Sequence, residues 1–146
     1  MWAFEHTITT PAGLTAIWNL YSDITTWTEW DQGISHASLD GPFAVGTSGL
    51  LQPQGQTALP FQLTEVDPLQ GFSDVTDIPG TGIQIHFTHR LEQVEEGTKV
   101  THSVSITGSS ANELISHLGP DLTRGIPHTM ERLAEMALAR EQSHAD

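Results

Sequence analysis

The stretch 83-IQIHFTHRLEQVEEGTKVTHSVSIT-107 decides the fold. Ile83, Ile85, Phe87, His89 and Leu91 alternate with Gln84, His86, Thr88 and Arg90. Val100, His102, Val104 and Ile106 alternate in the same way with Thr101, Ser103, Ser105 and Thr107. A period of two sustained over segments this long reads as two strands, each with one buried face. The break at 95-EEG-97 joins them as an antiparallel hairpin. A tight turn at Glu96-Gly97 sets Leu91 opposite His102 and His89 opposite Val104, which makes the two histidines diagonal neighbours on the inner face. A one-residue slip would bury Lys99, Arg90 and Glu92 instead. That is far costlier, because an unpaired buried charge is worse than a neutral imidazole.

Outward from this hairpin, short strands alternate with turn signals at 40-DGP-42, 53-PQG-55, 67-DPLQG-71 and 79-PGTG-82. The predicted strands are 34–39, 47–52, 59–66, 72–78, 83–94 and 98–107. Residues 2–9 form another, with Phe4, His6 and Ile8 on one face and Ala3, Glu5 and Thr7 on the other. Thr10-Pro11 reads as a helix start, a hydroxyl cap followed by proline at the first helical position. Leu14, Ile17, Trp18 and Tyr21 then make one apolar stripe. That helix ends near Ser22-Asp23, and a second short one covers about 24–30. Beyond Gly108, Leu114, Leu118, Leu122, Ile126, Met130, Leu133 and Ala137 recur at helical spacing, with a bend or break expected at Gly119-Pro120 or Pro127. The expected architecture is α+β: a seven-stranded antiparallel sheet, two short helices after strand 1, and a long C-terminal helix around which the sheet curls. Residues 1–146 form a single domain.

At 146 residues the chain is long enough to bury a core without staples. A formal charge of −13 with only five Lys and Arg supplies no cationic footprint for nucleic acid or an anionic membrane. No Cys is present, so thiolate chemistry is excluded. The start, MWAFEHTITT, lacks a signal-peptide pattern, and no apolar run is long enough to span a bilayer. The expectation is a cytoplasmic protein without membrane insertion, monomeric or homodimeric.

The phrases 27-WTEWD-31, 39-LDGPFAVGTSG-49, 60-PFQLTEVDP-68, 86-HFTHRLEQVEEGTKVTH-102 and 127-PHTMERLAEMA-137, in this order, resemble the SRPBCC superfamily. These are the helix-grip proteins that include START domains and bacterial polyketide cyclase/dehydrases. The resemblance implies an apolar cavity between the sheet and the long helix, holding a hydrophobic small molecule. The superfamily shares no single catalytic signature, so the site must be argued from its residues. Candidate lining residues are Phe4, Ile85, Phe87 and Val104 on the outer three strands and Phe61 further in. Leu118, Met130 and Leu133 would face them from the last helix, with Trp18, Trp27 or Trp30 near one end.

In the helix-grip arrangement the first strand lies beside the last, so His6 would approach His102 or Val104. His6, His89 and His102 then converge on one concave wall. Three readings stand: polar residues satisfied by neighbours, acid/base or ligand-orienting groups, and a metal site. The three imidazoles come from separate strands and no HxH or HExxH spacing supports a metal, so no metal and no cofactor are expected. Arg90 reads as outward by parity, unless a bulge turns it into a lone cation in the pocket. Arg124 is placed to guard the cavity mouth, and Asp31 to partner a histidine. Glu29 and Asp31 are two apart and cannot converge as a glycosidase pair. Two functions follow. In one, the cavity folds a polyketide-like precursor and a histidine promotes aldol closure, dehydration or a related proton transfer. In the other, it stores, carries or senses a hydrophobic ligand without chemistry.

Overall fold

The structure, a computed structural model, describes residues 2–108 and 123–144. Seven strands, β1 (Trp2–Thr10), β2 (Ile34–Leu39), β3 (Ser48–Pro53), β4 (Leu59–Asp67), β5 (Gly71–Ile78), β6 (Ile83–Val94) and β7 (Gly97–Thr107), form one sheet in the order β1-β7-β6-β5-β4-β3-β2. Every neighbouring pair is antiparallel. Helices α1 (Leu14–Ser22) and α2 (Trp27–Trp30) follow β1, with a 3-10 turn at Ile24–Thr26 between them, and α3 (Ile126–His144) closes the chain. This is the helix-grip architecture.

The β6–β7 hairpin differs from expectation by one turn residue. Val94 pairs with Gly97, so the loop is Glu95-Glu96, and Gly97 is the first residue of β7. The glycine answers a different need. A Cβ at Gly97 (φ 138°) would sit 2.2 Å from the Thr10 carbonyl oxygen and 2.7 Å from Pro11 Cα, where β1 leaves the sheet. The consequence is a register in which His89 lies directly opposite His102 and Leu91 opposite Val100.

The start of α1 also moves. Thr10 stays in the sheet opposite Thr98, and its hydroxyl accepts from Ala12 N at 3.3 Å. Thr98 in turn donates to the Ala12 carbonyl at 2.7 Å. Residues 10–13 are thus a corner rather than a first helical turn, and the Gly13 amide is held by Glu141 Oε1 of α3 at 2.9 Å. The break expected near Pro127 is present: Thr123 is helical, Arg124-Gly125 form a turn, and α3 restarts at Ile126 with Pro127 as its second residue, where a missing N–H costs nothing. Gly119-Pro120, Leu114, Leu118 and Leu122 lie outside the described residues.

Met130, Leu133 and Ala137 of α3 share one buried cluster with Phe61, Leu63, Phe72, Leu91 and Val100 of the sheet. Met130, Leu133 and Phe72 are at most 1% exposed, and burial of side chains this size contributes roughly 1.5–3 kcal/mol each. A second apolar group, Ile83, Ile85, Val104 and Ile106, covers the other end of the inner face. No helix among the described residues is long and apolar enough to cross a membrane.

Candidate functional site

One row of side chains crosses the inner face in register. Phe72 on β5 pairs with His89 on β6, His89 with His102 on β7, and His102 with His6 on β1. Directly opposed residues on one face have Cβ atoms about 5 Å apart, so the rings must touch. Phe72 and His89 stack with centroids 4.0 Å apart and planes 9° from parallel. His89 meets His102 edge-on at 4.6 Å. No three His, Asp or Glu side chains among the described residues come together as metal ligands.

α1 packs Tyr21 onto this row. Ile17, Leu20 and Tyr21 are its buried face, and Tyr21 is set over the histidines. Tyr21 Oη and His102 Nε2 share a hydrogen bond of 2.7 Å, and the Tyr21 ring also contacts His89 at 5.5 Å and Phe72 at 5.0 Å. The backbone behind Tyr21 is fixed by the tryptophan turn. Trp27 Nε1 donates to the Tyr21 carbonyl at 2.9 Å, Thr26 Oγ1 donates to the Leu20 carbonyl at 2.8 Å, and Trp30 Nε1 donates to Thr26 Oγ1 at 3.1 Å. Trp27 and Trp30 are each 4% exposed and pack beside Phe61, Phe72 and Tyr21, so they belong to the core at this end. Trp18 packs edge-on against Phe43.

The electrostatics of the row follow from burial. Desolvation lowers His89 to about 4; the Arg90 charge adds to this and the bond to Phe72 opposes it. His102 is held well below the usual imidazole range, first by desolvation and then by His89 and His6. Both rings are therefore uncharged at neutral pH. His89 Nδ1 lies 3.3 Å from the Phe72 carbonyl oxygen. A carbonyl only accepts, which assigns the proton to Nδ1 and leaves the Nε2 lone pair available. His102 is 6% exposed, while His89 and His6 are half-buried, so His89 is the ring that both faces the interior and stays reachable.

The polar residues expected near the cavity go elsewhere. Arg90 is exposed on the outer face, ion-paired with Glu65 and 4.0 Å from Asp67. Asp31 does not partner a histidine: it accepts from Gly33 N at 3.0 Å and bonds the Thr129 side chain, and burial raises its carboxyl. Arg124 lies exposed in the turn that precedes α3. Of the expected lining, Phe61, Met130 and Leu133 belong to the packed cluster around Phe72, Ile85 and Val104 to the second cluster, and Phe87 and Phe4 are half-buried. A shallow groove of about 290 Å³ lies over the convex side beside Glu5, His86, Thr88 and Ser103, and one of about 450 Å³ lies between Leu14, Leu69 and Val94. Neither includes the histidine row.

Tyr21 escaped the sequence reading as a functional residue because it sits in an apolar stripe. Asp74 escaped as well. It faces inward, 3% exposed, because Phe72, Asp74, Thr76 and Ile78 share a parity that the apolar ends of β5 impose. Burial pushes its carboxyl up to about 8.

The family model for polyketide cyclase/dehydrase and lipid transport proteins matches residues 1–140. No curated protein sequence matches. Among solved structures, the fold is similar to a Mesorhizobium loti protein (17% identity, TM-score 0.74, 95% of this chain and 98% of that one). It is also similar to norcoclaurine synthase from Thalictrum flavum in complex with dopamine and hydroxybenzaldehyde (14% identity, TM-score 0.73, 94% and 87%). The di-domain ARO/CYC protein of the steffimycin biosynthetic pathway aligns at TM-score 0.78 with 8% identity, over 96% of this chain and 52% of its own. At these identities the likeness is one of fold.

Proposed function

The chain belongs to the polyketide cyclase/dehydrase and lipid transport family, and from that premise we propose that it holds a hydrophobic carbonyl compound against the His89–His102 row and moves a proton on it. One observation carries this reading: His89 is inward-facing, reachable and neutral, with Nδ1 committed to the Phe72 carbonyl and Nε2 free. In an apolar site such a nitrogen takes a proton from carbon α to a carbonyl. The C–H electron pair moves into the new C=C bond and the carbonyl pair onto oxygen, giving an enolate. That carbon then attacks a second carbonyl in an aldol closure, or is reprotonated. His102 supports His89 from behind, held in orientation by Tyr21.

The probe reaction is exchange of the α-protons of 2-tetralone in D₂O, followed by NMR. The wild-type protein is expected to accelerate exchange, and His89→Ala to remove the acceleration while binding the ketone within a few-fold. The base is the neutral ring. With its pKa near 4, acceleration should be level from about pH 5.5 to 7.5 and fall as the pH drops through 4. Equal acceleration by wild type and variant would remove His89 from the mechanism.

The second reading, a carrier or sensor, draws on the same depressed imidazoles. A ring that stays neutral down to about pH 4 is a weak base and suits hydrogen-bonding a ligand as well as deprotonating it. Saturable binding of 2-tetralone without faster exchange would select it.

A further inference from the structure

Asp74 and Thr76 stand next to the histidine row on the same wall, and no role for them follows from anything above. Asp74 lies between Leu63 of β4 and Phe87 of β6, and Thr76 between Phe61 and Ile85. Both are 3% exposed and all four neighbours in register are apolar. Among the described residues, Asp74 Oδ1 and Thr76 Oγ1 are buried without a hydrogen-bond partner. Packed interiors satisfy nearly all such atoms, so two orphans at i and i+2 on one strand face need an explanation. A purely structural strand would carry valine or leucine here.

Chemistry narrows the missing partner. At neutral pH the buried carboxyl keeps its proton, so it offers an O–H donor, and the threonine hydroxyl offers another. The two side chains leave the strand roughly 7 Å apart at their Cα atoms and can converge on one acceptor. An anion is a poor candidate, because no cation faces Asp74 across β4 or β6. An uncharged oxygen with two lone pairs fits.

We propose that Asp74 and Thr76 form the oxygen-binding subsite of this protein, donating two hydrogen bonds to a carbonyl oxygen of an otherwise apolar ligand. The inference rests on the ligand site proposed above and adds to it the position of the oxygen. Phe72 faces His89, so Asp74, two residues on, is the diagonal neighbour of His89. A ketone oxygen bound there brings its α-carbon towards His89 Nε2. The same donors then bear the charge that grows on oxygen as the proton leaves carbon.

The test compares 2-tetralone with tetralin, which has the same rings and lacks the oxygen, by NMR titration of each protein. The wild type is expected to bind the ketone about tenfold more tightly than the hydrocarbon. Asp74→Leu and Thr76→Val should each remove most of that preference by weakening ketone binding, with tetralin affinity unchanged or improved. Asp74→Asn keeps an N–H donor and should keep most of it. Asp74→Leu should also melt several degrees higher without ligand, because it removes a buried unpaired carboxyl. If the ketone-to-hydrocarbon ratio is the same in wild type, Asp74→Leu and Thr76→Val, the subsite is wrong while the apolar site stands. If the wild type binds neither compound, the ligand site itself fails and the subsite with it.

Discussion

Between pH 6.5 and 8.5 the wild-type protein is expected to lose about 2 kcal/mol of stability that the Asp74→Asn variant keeps. The Asp74 carboxyl is 3% exposed, makes no hydrogen bond through Oδ1, and has a pKa pushed up to about 8 by burial. In the unfolded chain its pKa is about 3.9. The folded state therefore holds a proton that the unfolded state has released. This contribution is complete below the unfolded value and is lost as the pH rises through 8. Around Asp74 the register neighbours Leu63 and Phe87 are uncharged, and the nearest titratable group on β6 is the diagonal His89. His89 and His102 act in the opposite sense. Their folded pKa values are depressed, so the stability linked to them rises with pH and is complete by about 6.5. The wild type should thus be most stable near pH 6.5, and only Asp74 among these three contributes to the alkaline fall. Urea unfolding of both proteins at the two pH values measures it. An Asn variant that loses as much stability as the wild type would mean that Asp74 titrates as an ordinary carboxylate.

Gly71→Ala is expected to cost about 4 kcal/mol or more, at the extreme of single substitutions. Gly71 has φ 148°, and a Cβ there would stand 2.0 Å from the His89 carbonyl oxygen and 3.2 Å from Arg90 Cα. Neither is a flexible side-chain end, so the strands must part. The hydrogen bond from Leu91 N to Gln70 O, 2.7 Å, and the Phe72–His89 stack would be lost with them. Gly80→Ala is the control. Its φ of 79° also disfavours a side chain, but nothing lies within 4 Å, so only backbone strain of about 1–2 kcal/mol is expected. Thermal or urea unfolding should separate the two clearly. Equal losses would mean that the β5–β6 approach at Gly71 is not close-packed.

The contrast between Gly71 and the hairpin glycine explains what the sequence could convey. Turn signals located 34–39, and turn signals with alternation located 83–94, to the residue, because each is bounded by turn chemistry that no tertiary contact overrides. The same parity set His89 and His102 on the inner face. The register between them was not legible, since Gly97 looks like a turn residue but is needed where Thr10 and Pro11 cross it. Thr10-Pro11 misled for a related reason: its cap hydroxyl serves a corner fixed by Thr98, and only the β1–β7 pairing reveals that. Tyr21 reads as one more apolar residue until His102 is found 2.7 Å from its hydroxyl. Asp74 is the sharpest case. A charged residue in a strand is ordinarily assigned to solvent, and its inward parity emerges only when Phe72 and Ile78 are set on the same face.

The measurement that bears most directly on the ligand site is an NMR titration of the labelled histidine rings with 2-tetralone near pH 7. A hydrophobic carbonyl compound seated on the inner face must shift the His89 ring resonances saturably. His102 should respond less, through its contact with His89, and His36, exposed on β2, should not move. Shifts confined to His36 and to His86 on the convex side, or none at all at saturating ketone, would contradict the account.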